Sequence, residues 1–339
     1  MTMMEQLGMR LPIVAAPMAG GPSTPELVTA AARAGGIGFL AAGYKGPEQL
    51  AEQIDQVSAV TDRFGVNLFA PTPVRIDAEA YADYRRRLEP WALHYGVSLP
   101  ESPVEDDDRW EEKLAVLEEH PVPAVSVTFG LPSSTDIRRL QRTGAAVLQT
   151  VTTVTEAEHA DIAGADALIV QSHEAGGHSG TWTPAAPPAP VELEEMLLHI
   201  RAATDLPLWA AGGISTPDRV REVRAAGAEA AVVGTVLLRT GESGANPVHQ
   251  KALAAADREA TIITSAFSGR PARALENEFA TALTGAAPLG FPALHHLTAP
   301  LRRAATAAGD AEALNLWAGT GWRDAVTEPA EALLRRLGS

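Results

Sequence analysis

The sequence predicts an α/β fold: a closed (β/α)8 TIM barrel with a small, mainly helical cap. Three observations predict it. Eight short apolar runs recur along the first two-thirds of the 339 residues. Most are separated by alanine-rich stretches with apolar residues at helical spacing, several of them ending in glycine as helix C-termini often do. The runs are continuously apolar rather than alternating, as parallel strands covered on both faces are. A doubly wound open sheet is the competing architecture, and eight regularly spaced units favour closure.

Taken in order, the strand runs are LPIVAA (11–16), GIGFLA (36–41), FGVNLF (64–69), PAVSVT (123–128), AAVLQT (145–150), ALIVQ (167–171), PLWAAG (207–212) and AAVVG (230–234). The helical stretches are PELVTAAARAGG (25–36), PEQLAEQIDQV (47–57), STDIRRLQRTG (134–144), TEAEHADIAG (155–164), ELEEMLLHIRAATD (192–205) and TPDRVREVRAAG (216–227). Two regions break the rhythm. Residues 74–118 read as an acidic helical insertion whose charges, including EDDD (105–108), belong to a solvated surface excursion. Residues 241–310 read as a helical cap over a barrel of residues 1–240, and 311–339 as a return to the barrel.

Composition bounds the function. A net charge of −15 and a pI near 5.0 argue against nucleic acid and anionic membrane surfaces as partners. With no cysteine there is no disulfide, thiolate nucleophile, iron–sulfur cluster or cysteine zinc site. The N-terminus lacks a secretion signal and no apolar run reaches membrane length, so a cytoplasmic location is expected.

In a barrel, sites lie where strands end and βα loops begin. The first run ends in APMAGGPST (16–24), the third near Asn67, the seventh in AAGGIST (210–216) and the eighth in VVGTVLL (232–238). The loops after strands seven and eight commonly bind phosphate, because glycine lets backbone approach and N–H groups at a helix start favour an anion. The residues themselves therefore point to a phosphorylated ligand or cofactor, with the amides of Gln171 and Asn67 suited to a heterocycle's polar edge. The sixth run opens directly into QSHEAGGHSG (171–180). There His178 has three possible jobs: general base, hydrogen-bond donor to an anion, or loop cap. His173 and His178 are five apart and do not share a helix face, so no metal site is expected. His295 and His296 read as cap packing or pocket wall.

APMAGGPSTPELVTAAARAGGIGFLAAGY (16–44), QSHEAGGHSG, WAAGGIST (209–216), VVGTVLLRTGESGA (232–245), SGRPARALENEF (268–279) and NLWAGTG (315–321) together resemble bacterial class I nitronate monooxygenases, formerly 2-nitropropane dioxygenases. The resemblance runs from about residue 11 to 321. It implies an FMN-dependent barrel that oxidises alkyl nitronates, propionate 3-nitronate among them, with O2 and without NAD(P)H, forming a carbonyl product and nitrite or nitrate. An NAD(P)H-dependent quinone or enoyl-thioester reductase on the same scaffold is the alternative. The resemblance makes His178 the catalytic residue and places Asn67, Gln171, Gly176, Gly213 and Val232, Val233, Gly234 and Thr235 against FMN, with Gly213, Gly234 and Thr235 at its phosphate. Met18, Gly20, Gly177 and Gly212 complete the cofactor set. Departures from the family pattern are Ser172 after the strand-six glutamine, Val232–Val233 before Gly234, and a cap with no tyrosine, Phe291 standing where one is usual. These put substrate identity in question more than flavin binding.

Overall fold

The computed structural model describes residues 2–72, 74–186 and 188–339. A turn of helix, α1 (Met3–Gln6), leads into β1 (Ile13–Ala15), α2 (Pro25–Ala34), β2 (Ile37–Ala41), α3 (Pro47–Ser58) and β3 (Phe64–Phe69). Helices α4 (Ala78–Arg87), α5 (Glu89–Tyr95) and α6 (Trp110–Glu119) precede β4 (Ala124–Thr128), α7 (Ser134–Gln141), β5 (Ala146–Val151), α8 (Val154–Ala163) and β6 (Ala167–Gln171). A two-residue strand, β7 (Gly177–His178), is followed by α9 (Leu193–Arg201), β8 (Leu208–Ala211), α10 (Pro217–Ala225) and β9 (Ala230–Val233). Beyond them lie α11 (Pro247–Ala254), β10 (Thr261–Thr264), β11 (Ala272–Leu275), α12 (Glu278–Leu283), α13 (Ala293–Ala308) and α14 (Ala330–Gly338).

Strands β1 to β6, β8 and β9 close a parallel barrel, β9 pairing back onto β1 through Ile13 and Ala231. Closure rather than an open sheet is thus the outcome. Helix starts follow local chemistry: Thr24 and Thr216 accept from the N–H three residues on, and Pro25 and Pro217 occupy the first helical positions. The barrel floor is filled by Phe39 and Trp209, packed edge-on with ring centres 6.3 Å apart. Gly65 makes room for them, since a Cβ there would lie 2.3 Å from the Phe39 ring. The outer faces of the strands bury apolar residues against the helices. Helix α14 completes this ring by packing Leu333, Leu334 and Leu337 into the cluster that holds Ile13 and Leu27.

The cap has its own apolar cluster, in which Phe267, Phe279, Leu294, Leu297 and Leu301 pack with Tyr81 and Tyr84 of α4. Tyr84 donates its hydroxyl to the Ala266 carbonyl at 2.6 Å. So α4, inside the insertion, packs into the cap. The stretch 241–310, read as helical, also contains the antiparallel hairpin β10–β11, and β11 pairs with β7 to make a three-stranded sheet. Alternation in TIIT and ARAL is too short to register against the surrounding alanines. Glu105, Asp106 and Asp107 of the acidic run are exposed, as a solvated excursion has them, but the run is tied down at two points. Asp106 bonds His296 of α13 at 2.7 Å, and Asp108 pairs with buried Lys113 at 2.6 Å while accepting the Tyr44 N–H at 2.9 Å.

Candidate active site

A cavity of about 600 Å³ lies between the C-terminal ends of the barrel strands and the cap. That volume is typical of a cofactor or substrate site. Of the residues expected at the site, Met18, Gly20, Asn67, Gln171, Gly176, Gly177, His178, Gly212, Gly213, Val232, Gly234 and Thr235 all line it. Val233 does not. Neighbouring strand residues face opposite ways, so Val233 joins the outer core while its carbonyl accepts the Ala16 N–H at 2.9 Å.

His178 is placed by pairing between β7 and β11, opposite Ala272. Its ring is surrounded by Phe129, Phe291 and Trp317, with centres 5.1 to 5.8 Å away. Nε2 lies 2.8 Å from Ser268 Oγ, and Ser268 donates its proton to the Arg270 carbonyl at 3.3 Å. With Ser268 donating to that carbonyl, its oxygen accepts from Nε2–H and the lone pair falls on Nδ1. Burial pushes the imidazole down to about 3, and the nearby Arg270 and Arg302 charges add to the effect, so His178 is neutral at pH 7.

The loop carrying His178 is braced from three sides. Gln171 Oε1 accepts the Gly180 N–H at 2.6 Å and its Nε2 donates to the His178 carbonyl at 3.3 Å. Glu156 accepts the Trp182 N–H at 2.7 Å and the Thr152 N–H at 2.6 Å. Fully buried Arg270 donates to the Phe129 and Thr181 carbonyls and rests over the Phe129 ring at 4.2 Å. Asn67 is likewise anchored, its Nδ2 donating to Ser126 and Thr128 hydroxyls at 3.0 Å. Both amides thus serve the protein's own hydrogen bonds, and Gln171 spends its carbonyl oxygen on the loop.

Sequence reasoning missed Ser268, Arg270, Arg302 and Tyr44. The SGRP stretch held the first two, but nothing in its pattern shows that it meets His178. Tyr44 supplies a phenol from the barrel side. Its ring stacks on His295, centres 4.1 Å apart and planes within 3°. Tyr44 and Phe129 take left-handed φ values of 67° and 81°, and both line the cavity. Such backbone persists in non-glycine residues only where surroundings enforce it. His295 is a pocket wall, as one of its two readings had it; His296 is held outside by Asp106.

The glycine turns fit a flat phosphorylated group. A Cβ on Gly176 would meet the Gly319 N at 2.5 Å, so the NLWAGTG segment crosses directly over this loop. A Cβ on Gly234 would meet only Ala16 at 3.4 Å and Met18 at 3.5 Å. Its extra space belongs to the cavity. A 3-10 turn, Thr235–Leu237, starts immediately afterwards, and its first N–H groups have no partner one turn earlier. At Gly213 the approach is narrower, because the Glu174 carboxylate sits 2.5 Å from where its Cβ would be.

Fold and site together define a barrel enzyme with a capped, cofactor-sized cavity at its catalytic face. A family model described as nitronate monooxygenase matches residues 2–338. A probable nitronate monooxygenase of Staphylococcus aureus (strain Newman) is 31% identical over 338 residues, covering 98% of this chain and 95% of that protein. The crystal structure of a nitroalkane oxidase from Streptomyces ansochromogenes is 44% identical with a TM-score of 0.92, covering 97% and 95% of the two chains. FabK from Thermotoga maritima is 26% identical with a TM-score of 0.76, covering 98% and 93%. The chain belongs to the nitronate monooxygenase family. It is a flavin-dependent oxidoreductase of the nitronate monooxygenase kind. Among the described residues no helix is long and apolar enough to cross a membrane.

Proposed function

We propose that the flavin is FMN and that the protein oxidises alkyl nitronates of the propionate 3-nitronate type with O2, without NAD(P)H, to a carbonyl product and nitrite or nitrate. The observation carrying this reading is His178, held by Ser268 and ringed by Phe129, Phe291 and Trp317 in the wall of the capped cavity. In this reading the N–H groups at Gly234, Thr235 and Val236 hold the phosphate, while Asn67 and Gln171 face the ring's polar edge and Met18 its apolar surface. When bound, the flavin supplies the electron-transfer chemistry with O2. The chain's own residues do the rest. The cap excludes water, and the loop network fixes His178. Its Nδ1 lone pair accepts the α-proton when a neutral nitroalkane is the substrate.

Oxygen uptake by the yellow protein on propionate 3-nitronate, in air and without NAD(P)H, tests the reading. Rapid uptake with nitrite or nitrate formed is the expected result. No uptake, with flavin bleached anaerobically by NADH or NADPH, would move the protein to the reductases. His178→Asn should keep its flavin and lose most turnover on neutral nitroalkane; unchanged kcat/KM would remove His178 from the chemistry.

A further inference from the structure

Among the described residues, Arg302 carries its charge at the site with no carboxylate in ion-pair contact. Arg302 of α13 lines the cavity that His178 lines. Its Nε donates to Thr298 Oγ1 at 3.2 Å and its Nη2 to the His295 carbonyl at 2.8 Å, which fixes the plane of the guanidinium. Nη1 makes no hydrogen bond among the described residues. The charge beside Arg302 is that of Arg303, of the same sign, and among the described residues Arg302 makes no ion pair with a carboxylate. The other titratable groups facing it supply no negative charge at pH 7. Burial holds His178 and His295 neutral and raises the Tyr44 phenol above its ordinary value.

A cation without a counter-ion in the wall of a partly enclosed cavity attracts an anion there. His178 brings no charge to an anionic oxygen, and its Nε2 is already engaged by Ser268 at 2.8 Å. The free Nη1 of Arg302, by contrast, keeps both its N–H groups for an anionic oxygen, since Nε and Nη2 are held by Thr298 and His295. Resting on the function proposed above, we infer that Arg302 anchors the nitro oxygens of the substrate in its anionic, nitronate form, and so selects nitronates over neutral nitroalkanes. The phosphate turn at Gly234 belongs to the barrel, whereas Arg302 belongs to the cap, so the two anion sites are separate elements of one cavity.

The test compares flavin-loaded wild type with Arg302→Gln and Arg302→Lys. Substrates are preformed ethyl nitronate and nitroethane; nitrate, a planar non-reacting anion, is titrated by calorimetry. Arg302→Gln should lose about 100-fold in kcat/KM on ethyl nitronate, mostly through KM, as truncating one member of a buried charge pair does. On nitroethane it should lose less than about 3-fold. Arg302→Lys should recover most of the nitronate loss, and nitrate binding should follow the nitronate pattern. Equal losses on both substrates, or nitrate binding unchanged in Arg302→Gln, would overturn the assignment. Loss of flavin in Arg302→Gln would do so too, by placing Arg302 with the cofactor. If wild type oxidises neither probe, the functional reading fails. The nitrate titration then decides Arg302 alone: weaker binding in the variant supports an anion anchor, and equal binding ends it.

Discussion

At the scale of single residues, the site depends on what surrounds each group. His178 is a loop histidine in the sequence, but Ser268, Phe129 and Trp317 make it neutral and fix its tautomer. The glycines divide in the same way. Gly176 is required by the protein itself, because any Cβ would strike the Gly319 backbone at 2.5 Å. Gly234 tolerates a Cβ at ordinary contact distance, and only longer side chains would reach the cavity. Gly176→Ala should therefore cost stability, about 1–3 kcal/mol as overpacking does, seen in urea unfolding. Gly234→Leu should fold near wild-type stability yet purify with little flavin. Full flavin occupancy in Gly234→Leu would remove that turn from the cofactor site.

At the scale of elements, strand ends and helix starts were legible and partnerships between distant segments were not. The eight apolar runs are the eight barrel strands, with ends shifted by a residue or two. The glycine-rich strand ends do line one cavity, since βα loops all emerge at the same face. What could not be read was the use of EDDD. Asp108 ties the loop holding Tyr44 to α6 through Lys113, both partners withdrawn from water. Burial raises the Asp108 carboxyl and lowers the Lys113 ammonium, each opposed by the other's charge. Removing one member strands the other. Lys113→Met should destabilise by about 3 kcal/mol, and the double variant Lys113→Met/Asp108→Asn by less than half of that. A double variant as unstable as the single one would mean that Lys113 acts through packing rather than charge.

At the scale of the whole molecule, the cap and barrel enclose histidines that water would otherwise protonate. His249 of α11, 7% exposed and with no partner on Nε2, lines the cavity and is pushed by burial down to about 4. In the unfolded chain it takes up a proton below about pH 6.5, whereas the native state stays neutral until about 4. The stability it contributes is thus complete above pH 6.5 and is lost as pH falls from 6.5 toward 4. Between pH 7 and 5 wild type should lose about 2 kcal/mol more than His249→Asn in urea unfolding. Equal pH dependence in the two proteins would show that His249 is hydrated in the native state.

The sequence by itself determined the barrel, through periodicities of two and 3.6 residues, and the glycine-rich strand ends that meet at one cavity, through glycine's backbone; both are local properties. The resemblance to a family supplied the expected site residues, of which twelve of thirteen line that cavity. Val233 was the exception, because a residue's face is set by strand register rather than by its neighbour's role. Only the tertiary structure decided that a hairpin from the cap pairs with the His178 loop, and that Arg302 reaches the cavity without a counter-ion. It also decided that Tyr44 supplies the phenol that the cap lacks. Those facts join residues 90 to 250 positions apart. Burial and charge at such a distance follow from packing, which no short window of sequence contains.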